Sequence, residues 1–123
     1  MPDELVDLLE PTPRAPARAR ELVRALPADE ETRRKVELIV SELVTNSVIH
    51  TGVSPTERLR LRLRCERSGV SGEVCDPGKG FDWENAEPDL SEPGGLGLMV
   101  VDQLALNWGV HRDGETCVWF ECV

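Results

Sequence analysis

The fold of this chain is decided by Ser41-Glu42-Leu43-Val44-Thr45-Asn46-Ser47-Val48-Ile49-His50, a stretch inside the longest helical pattern of the sequence. Glu42 and Asn46 are one helical turn apart on the same side, and His50 follows after another turn. A carboxylate can accept a proton, and an amide oxygen can bind a hard cation without adding charge. This stripe is therefore either a candidate site or a polar face turned to water. Beside it runs a second stripe at helical spacing, formed by Val36, Val40, Leu43, Val44 and Ser47.

Length and charge limit the class of protein. A chain of 123 residues is about one domain, so we expect a single domain over residues 1–123. The net charge of −9 argues against a nucleic-acid partner and against binding to an anionic membrane. No apolar run approaches the roughly 20 residues of a membrane span, and the acidic start lacks a signal-peptide pattern. The sequence therefore predicts a cytoplasmic protein.

Strict alternation predicts a strand over residues 58–65, with leucine and cysteine on one face and four arginines on the other. A turn at Ser68-Gly69 leads into a return strand, which places Glu73 on the arginine side if the registers match. The arginine face is either a solvated sheet face or a contact with a partner or a second copy of the chain.

The other elements follow from apolar periodicity and from helix and turn signals. Asp29 is the expected N-cap of the long helix, since Glu30 and Glu31 follow in its first turn. Residues 112–115 form a hairpin turn between the last two strands. Helices are expected at residues 16–26, with Pro16 in the first turn, 29–51 and 96–104, and strands at 5–9, 58–65, 70–75, 106–111 and 117–123.

The cysteines carry a separate expectation. Cys65, Cys75, Cys117 and Cys122 show no C-x-x-C spacing, and neither histidine is near them in sequence. This spacing argues against a zinc site. In a reducing cytoplasm we expect four buried or half-buried thiols in strands.

Two more polar segments lie in a stretch rich in glycine and proline between residues 76 and 97. Asp76-Pro77-Gly78-Lys79-Gly80 places a carboxylate at a strand end before two spaced glycines, and Gly94-Gly95-Leu96-Gly97-Leu98 opens a helix. Glycines let a backbone approach a ligand closely, and a helix N-terminus can bind phosphate. A loop of this length inside a compact domain is usually functional, although each segment alone also fits a turn or a cap.

Taken together and in this order, the three segments resemble the GHKL ATPase family, and within it the anti-sigma-factor kinases. The resemblance rests on Glu-Leu-Val-Thr-Asn at 42–46 with His50, on Asp-x-Gly-x-Gly-Phe-Asp at 76–82, and on Gly-Leu-Gly-Leu-Met at 95–99. It covers nearly the whole chain. It implies a Bergerat-type α+β two-layer sandwich, in which a mixed, mostly antiparallel sheet carries helices on one face.

The resemblance also implies a role for each motif residue toward ATP and Mg²⁺. Glu42 would be the general base, Asn46 would bind the Mg²⁺ that bridges the phosphates, and Asp76 would bind the adenine amino group. Thr116 would support Asp76 or a water molecule in the adenine site. The remaining nucleotide-binding positions, beside the base and the phosphates, are Gly78, Gly80, Gly95, Leu96 and Gly97, with residues 81–93 as a lid.

The family's activity would be that of an anti-sigma factor, which phosphorylates a serine or threonine of a STAS-type antagonist protein and binds a sigma factor. Related kinases often place an arginine immediately before the Gly-Leu-Gly, where this chain has Gly94, so a cation near the γ-phosphate is missing. The alternatives are a non-catalytic, nucleotide-dependent partner-binding module and the ATP-binding domain of a histidine kinase acting in trans. A homodimer is also expected, through the face of residues 58–64 or through Trp108 and Trp119.

Overall fold

The computed structural model describes residues 3–50, 53–77 and 98–123. The third motif falls almost wholly outside the described residues, as do the expected lid and the glycines Gly78 and Gly80. The helices are Ala15–Arg24 (α1), Glu30–His50 (α2) and Met99–Leu104 (α3). The strands are Asp3–Leu9 (β1), Leu59–Glu66 (β2), Gly69–Asp76 (β3), Asn107–Arg112 (β4) and Thr116–Cys122 (β5).

The strands form one five-stranded sheet in the order β1-β2-β3-β5-β4, and every neighbouring pair is antiparallel. Helix α2 contacts β3 and β5 of the sheet and is flanked by α1 and α3, which contact β1 and β4 respectively, so the three helices form one layer with α2 at its centre. This arrangement confirms the α+β fold class. All strand pairs in the described part of the chain are antiparallel, so the sheet is antiparallel there rather than mixed.

Alternation along the strands gives the sheet one buried face, which we call the inner face, and one outer face. On β2, Leu59, Leu61 and Leu63 are fully buried, whereas Arg62 and Arg64 are exposed. The register pairs Arg62 with Glu73, and the Arg62 Nη1 to Glu73 Oε1 distance is 3.8 Å. The expected strand and the expected position of Glu73 on the arginine side are both confirmed.

The core lies between the inner face and α2. Because the side chains on one stripe of α2 reach 0% exposure, the helix is amphipathic in the expected register. Its N-cap is also as expected: Asp29 Oδ1 accepts the backbone N–H of Thr32 at 2.8 Å, and Asp29 Oδ2 accepts the Thr32 hydroxyl at 2.9 Å. The largest fully buried core side chains are Phe120, Ile39, Leu43, Leu59, Leu61 and Leu63.

The expectation of four free thiols is wrong for two of them. Cys75 and Cys117 form a disulfide, with their Cα atoms 4.0 Å apart, while Cys65 and Cys122 are buried cysteines outside that disulfide. The register of β3 and β5 places Cys75 directly opposite Cys117. This pairing is invisible in the sequence because 42 positions separate the two residues.

No described helix is long and apolar enough to cross a membrane.

Candidate functional site

The Glu42–Asn46 stripe is buried rather than turned to water. Glu42 is 9% exposed and Asn46 is 0% exposed. The Asn46 side-chain amide donates a hydrogen bond from Nδ2 to Glu42 Oε1 at 3.2 Å. Helix α3 also packs on α2. The buried part of the α2 surface is therefore wider than the apolar stripe and includes Glu42 and Asn46. Of the two interpretations that the sequence left open, the candidate site is the one the burial favours.

Asn46 has one buried polar atom that finds no donor in the described part of the chain, its amide oxygen Oδ1. Buried polar atoms are normally hydrogen-bonded, so an unpaired one indicates a missing partner. An uncharged amide oxygen beside a carboxylate is a ligand set that a hard divalent cation such as Mg²⁺ accepts. The residues present therefore fit the ion that the resemblance implied.

Asp76 joins this cluster from the sheet. It is the last residue of β3, it points to the inner face, and it is 1% exposed. The Ser47 hydroxyl of α2 donates to Asp76 Oδ2 at 3.4 Å. Since Ser47 follows Asn46 directly, Asp76 lies against the turn of α2 that carries Asn46. We call Glu42, Asn46, Ser47 and Asp76 the Glu42–Asp76 cluster. Asp76 thus packs against α2, the helix that carries Glu42 and Asn46, and its role toward adenine stays a prediction.

Thr116 completes the described part of the cluster. It is the first residue of β5, it is the register partner of Asp76, and it is 5% exposed. Thr116 therefore lies beside Asp76 on the inner face, where a hydroxyl can reach the carboxylate or a bound water molecule. Its role toward a nucleotide stays a prediction.

The structure does not test the other predicted positions. Gly78, Gly80, Gly95, Leu96 and Gly97 lie outside the described residues. Leu98 is described and is 7% exposed, and Val101 of α3 is fully buried in the core beside α2. The third motif therefore leads into a helix that packs on the helix carrying Glu42 and Asn46.

Sequence reasoning missed the part played by Ser47. It was counted with the apolar stripe, whereas its hydroxyl connects α2 to Asp76. A hydroxyl among valines and leucines, next to a candidate ligand, was the available signal. What the sequence could not supply was the partner, which is 29 residues away.

The fold and the cluster together define a class: an open antiparallel sheet under a long helix with a buried carboxylate–amide pair, as in Bergerat-type ATPase domains. The family model of the histidine kinase-like ATPase domain matches residues 6–122, and the chain belongs to this family. An ATPase domain of this type is a nucleotide-binding domain.

One solved structure with this fold is the crystal structure of the RsbU and RsbW domains of Rv1364c from Mycobacterium tuberculosis. The TM-score is 0.73 at 20% sequence identity, and the match covers 96% of the present chain. At this identity the likeness shows the fold. The chain spans about a third of that solved chain, 31%. No curated protein sequence matches significantly.

Proposed function

We propose that this protein is an anti-sigma factor with kinase activity: it binds Mg²⁺-ATP and transfers the γ-phosphoryl group to a serine or threonine of a STAS-type antagonist. When the antagonist is phosphorylated, the protein is free to bind its sigma factor. The observation that carries the proposal is the buried pair of Glu42 and Asn46, joined at 3.2 Å, with Asn46 Oδ1 left without a donor among the described residues.

Glu42 has the chemistry of the base in this reaction. As the substrate hydroxyl attacks the γ-phosphorus, its proton passes to the Glu42 carboxylate, and ADP leaves with the electrons of the broken P–O bond. The hydrogen bond from Asn46 holds one carboxylate oxygen, which orients the group. A positioned general base of this kind contributes about 10²–10⁴-fold to a rate.

Asn46 would hold Mg²⁺ through Oδ1, and the ion would neutralise the charge that develops on the phosphates. Asp76 would accept a hydrogen bond from the adenine amino group, and the Ser47 hydroxyl keeps that carboxylate in place. The buried cluster on α2 and β3 thus contains a proton acceptor, a cation ligand and a hydrogen-bond acceptor for the adenine ring.

The partners of the proposal come from the resemblance to anti-sigma-factor kinases, and the solved structure with this fold contains an RsbW domain. We propose a STAS-type antagonist and a sigma factor as the binding partners, and a cytoplasmic location. The protein's net charge of −9 supports a protein partner rather than a nucleic acid.

The test is phosphoryl transfer from γ-labelled ATP to a candidate antagonist. Glu42→Ala should still bind ATP but should lower the transfer rate by about 10²–10⁴-fold. Glu37→Ala is the matched control, because this glutamate of the same helix pairs with Arg24 at 2.9 Å, outside the cluster. Normal transfer by Glu42→Ala would show that another group is the base.

Gly94 favours a second candidate, a module that binds nucleotide and partners without transfer. Its position lacks the arginine that often stabilises the transferred phosphoryl group in related kinases. The same assay separates the two, since this candidate allows no phosphoprotein. An acid-labile phosphohistidine product would instead indicate a histidine kinase domain acting in trans.

A further inference from the structure

We propose that the outer face of the sheet carries a site for a thiophilic divalent cation of the Zn²⁺ type, available when the Cys75–Cys117 disulfide is reduced. The ligands are Glu73, Cys75 and Cys117, with His111 as the fourth. This site lies on the opposite face of the sheet from the Glu42–Asp76 cluster, and its existence does not depend on the proposed kinase activity.

The register brings the ligands together. Cys75 on β3 is paired with Cys117 on β5, and Cys117 is paired in turn with His111 on β4. Glu73 precedes Cys75 by two residues, so both side chains leave the same face of the strand. Three adjacent strands thus present four side chains with zinc-binding chemistry in one patch.

The distances are those of a compact ligand set. One ligand atom from each of Glu73, Cys75 and Cys117 lies within 4.8 Å of the other two. His111 Nε2 lies 3.9 Å from Glu73 Oε2. Tetrahedral Zn²⁺ has bonds of about 2.3 Å to sulfur and about 2.0 Å to nitrogen or oxygen, so small side-chain rotations would bring the four donors around one ion.

The ligand types select the class of cation. Two thiolates, an imidazole and a carboxylate suit Zn²⁺, whereas Mg²⁺ and Ca²⁺ require oxygen ligands. The cysteines are 1% and 3% exposed, while the His111 side chain is 57% exposed. The sulfurs are therefore shielded from solvent, and His111 is on the side from which an ion can enter.

The surrounding charges favour a divalent ion. Arg60 Nη2 lies 3.3 Å from Cys75 Sγ and 2.7 Å from Glu115 Oε1, and Arg62 lies 3.8 Å from Glu73. A neighbouring guanidinium stabilises a thiolate, the form that binds metal. Glu4 also pairs with Arg62, at 3.1 Å. The two thiolates and the three glutamates carry more negative charge than the two arginines neutralise, so the patch attracts a cation.

The disulfide and the metal are mutually exclusive because both use the same two sulfurs. A dithiol reductant opens the disulfide by two thiol–disulfide exchanges, is itself oxidised to a disulfide, and leaves two thiols. Each thiol then loses its proton as the sulfur binds the cation. A small-molecule disulfide reverses the process: it takes the electrons of the two thiolates, re-forms the Cys75–Cys117 bond and releases the ion.

The test uses the full chain, reduced by a dithiol without oxygen, freed of reductant and titrated with Co²⁺ as a spectroscopic probe. We expect thiolate-to-cobalt charge-transfer bands and the visible bands of tetrahedral cobalt, at one ion per chain, and loss of both on adding Zn²⁺. The oxidised protein should show neither. Absence of these bands from the reduced protein would overturn the site.

Single substitutions locate the site. Cys75→Ser and Cys117→Ser should abolish the charge-transfer bands, whereas Cys65→Ala should keep them, because Cys65 is a buried cysteine of the inner face, outside the disulfide. Glu73→Gln and His111→Ala should weaken Zn²⁺ binding by about tenfold or more. Bands that survive in both serine variants would overturn the proposal, and an unchanged affinity in His111→Ala would remove His111 from it. Far-UV circular dichroism checks that each variant is folded.

Discussion

At the scale of single residues, Asn46 is the side chain whose environment is least explained by packing. It is fully buried, its Nδ2 is paired with Glu42, and its Oδ1 has no donor among the described residues. A buried amide with one unused oxygen lowers the stability of the metal-free protein. Such a residue is expected where function rather than stability determines the side chain.

Asn46 gives the first prediction at this scale. In calorimetric titrations, wild-type protein should bind ATP more tightly with Mg²⁺ than without it. In Asn46→Ala, the factor by which Mg²⁺ raises the affinity for ATP should be smaller by about tenfold or more, or ~1.4 kcal/mol. Its affinity for ATP without Mg²⁺ should stay similar. Asn107→Ala is the control, since that asparagine is exposed on β4 and bonds Glu121 at 3.3 Å. A full magnesium effect in Asn46→Ala would assign the ion to other ligands.

Asp29 gives a pH prediction. Hydrogen bonds from Thr32, first from its backbone N–H and then from its hydroxyl, lower the pKa of the Asp29 carboxyl below its ordinary value of 3.8. A carboxyl with a lowered folded-state pKa stabilises the fold above its unfolded pKa, and this contribution is lost as the pH falls through the folded pKa. The free energy of unfolding should therefore drop on acidification below about pH 4.

Denaturant titrations from neutral pH to pH 3 measure this dependence. Asp29→Asn is the comparison, because an asparagine can still cap the helix but does not titrate there. The wild type should lose more stability over this range than Asp29→Asn does. Parallel curves for the two proteins would mean that the Asp29 carboxylate contributes nothing to the acid sensitivity.

At the scale of elements, the long helix and the strands β2 to β5 were predicted to within one residue at each end. The long helix was expected at residues 29–51 and is found at Glu30–His50, and the arginine-leucine strand at 58–65 is found at Leu59–Glu66. Pro16 was expected in the first turn of α1 and is found there, since the helix begins at Ala15, whose N–H is bonded to the Thr12 carbonyl oxygen at 3.0 Å. The helix ends at Arg24, two residues before the expected Leu26. End effects of this kind depend on single hydrogen bonds, which periodicity does not contain.

The two hairpin glycines give a prediction at this scale. Both have positive φ, +142° at Gly69 and +77° at Gly114. A Cβ at Gly69 would collide with the carbonyl oxygen of Cys122 and lie 3.1 Å from Val123 Cα, whereas a Cβ at Gly114 would meet nothing within 4 Å. Gly114→Ala should lower the free energy of unfolding by about 1 kcal/mol, from backbone strain alone. Gly69→Ala should lower it by more than about 3 kcal/mol, because backbone strain and a clash with the backbone of β5 add.

Chemical denaturation of the two alanine variants measures both costs under the same conditions. The comparison is matched, since each glycine joins two antiparallel strands of the same sheet. Equal losses of stability would mean that the approach of β5 to Gly69 is not tight in solution.

At the scale of the whole molecule, the outer face of the sheet is not covered by any of the three described helices. Its arginines pair within the chain, Arg60 with Glu115 at 2.7 Å and Arg62 with Glu4 at 3.1 Å. Val6 and Leu8 of the edge strand β1 are 50% and 61% exposed on the same face. Exposed apolar side chains beside paired charges favour a contact with another protein. The homodimer stays a prediction, and this face is its expected interface.

Light scattering at roughly 50 µM protein should give twice the mass of one chain. Leu8→Glu should shift the protein toward the monomer, because it places a charge in the expected interface. Leu38→Glu is the matched control, since that leucine of α2 is 58% exposed on another surface. A monomeric wild type would contradict the dimer, and equal effects of both variants would move the interface elsewhere.

The sequence by itself determined the elements, the buried faces of α2 and β2, the N-cap Asp29 and the motif residues that identify the family. Those features are encoded locally, by the periods of a helix and a strand and by side chains a few positions apart. Only the tertiary structure decided that Ser47 joins Asp76 and that Cys75 meets Cys117. These contacts span 29 and 42 positions, and they depend on how α2 packs on the sheet and on the register between β3 and β5, which local periodicity does not fix.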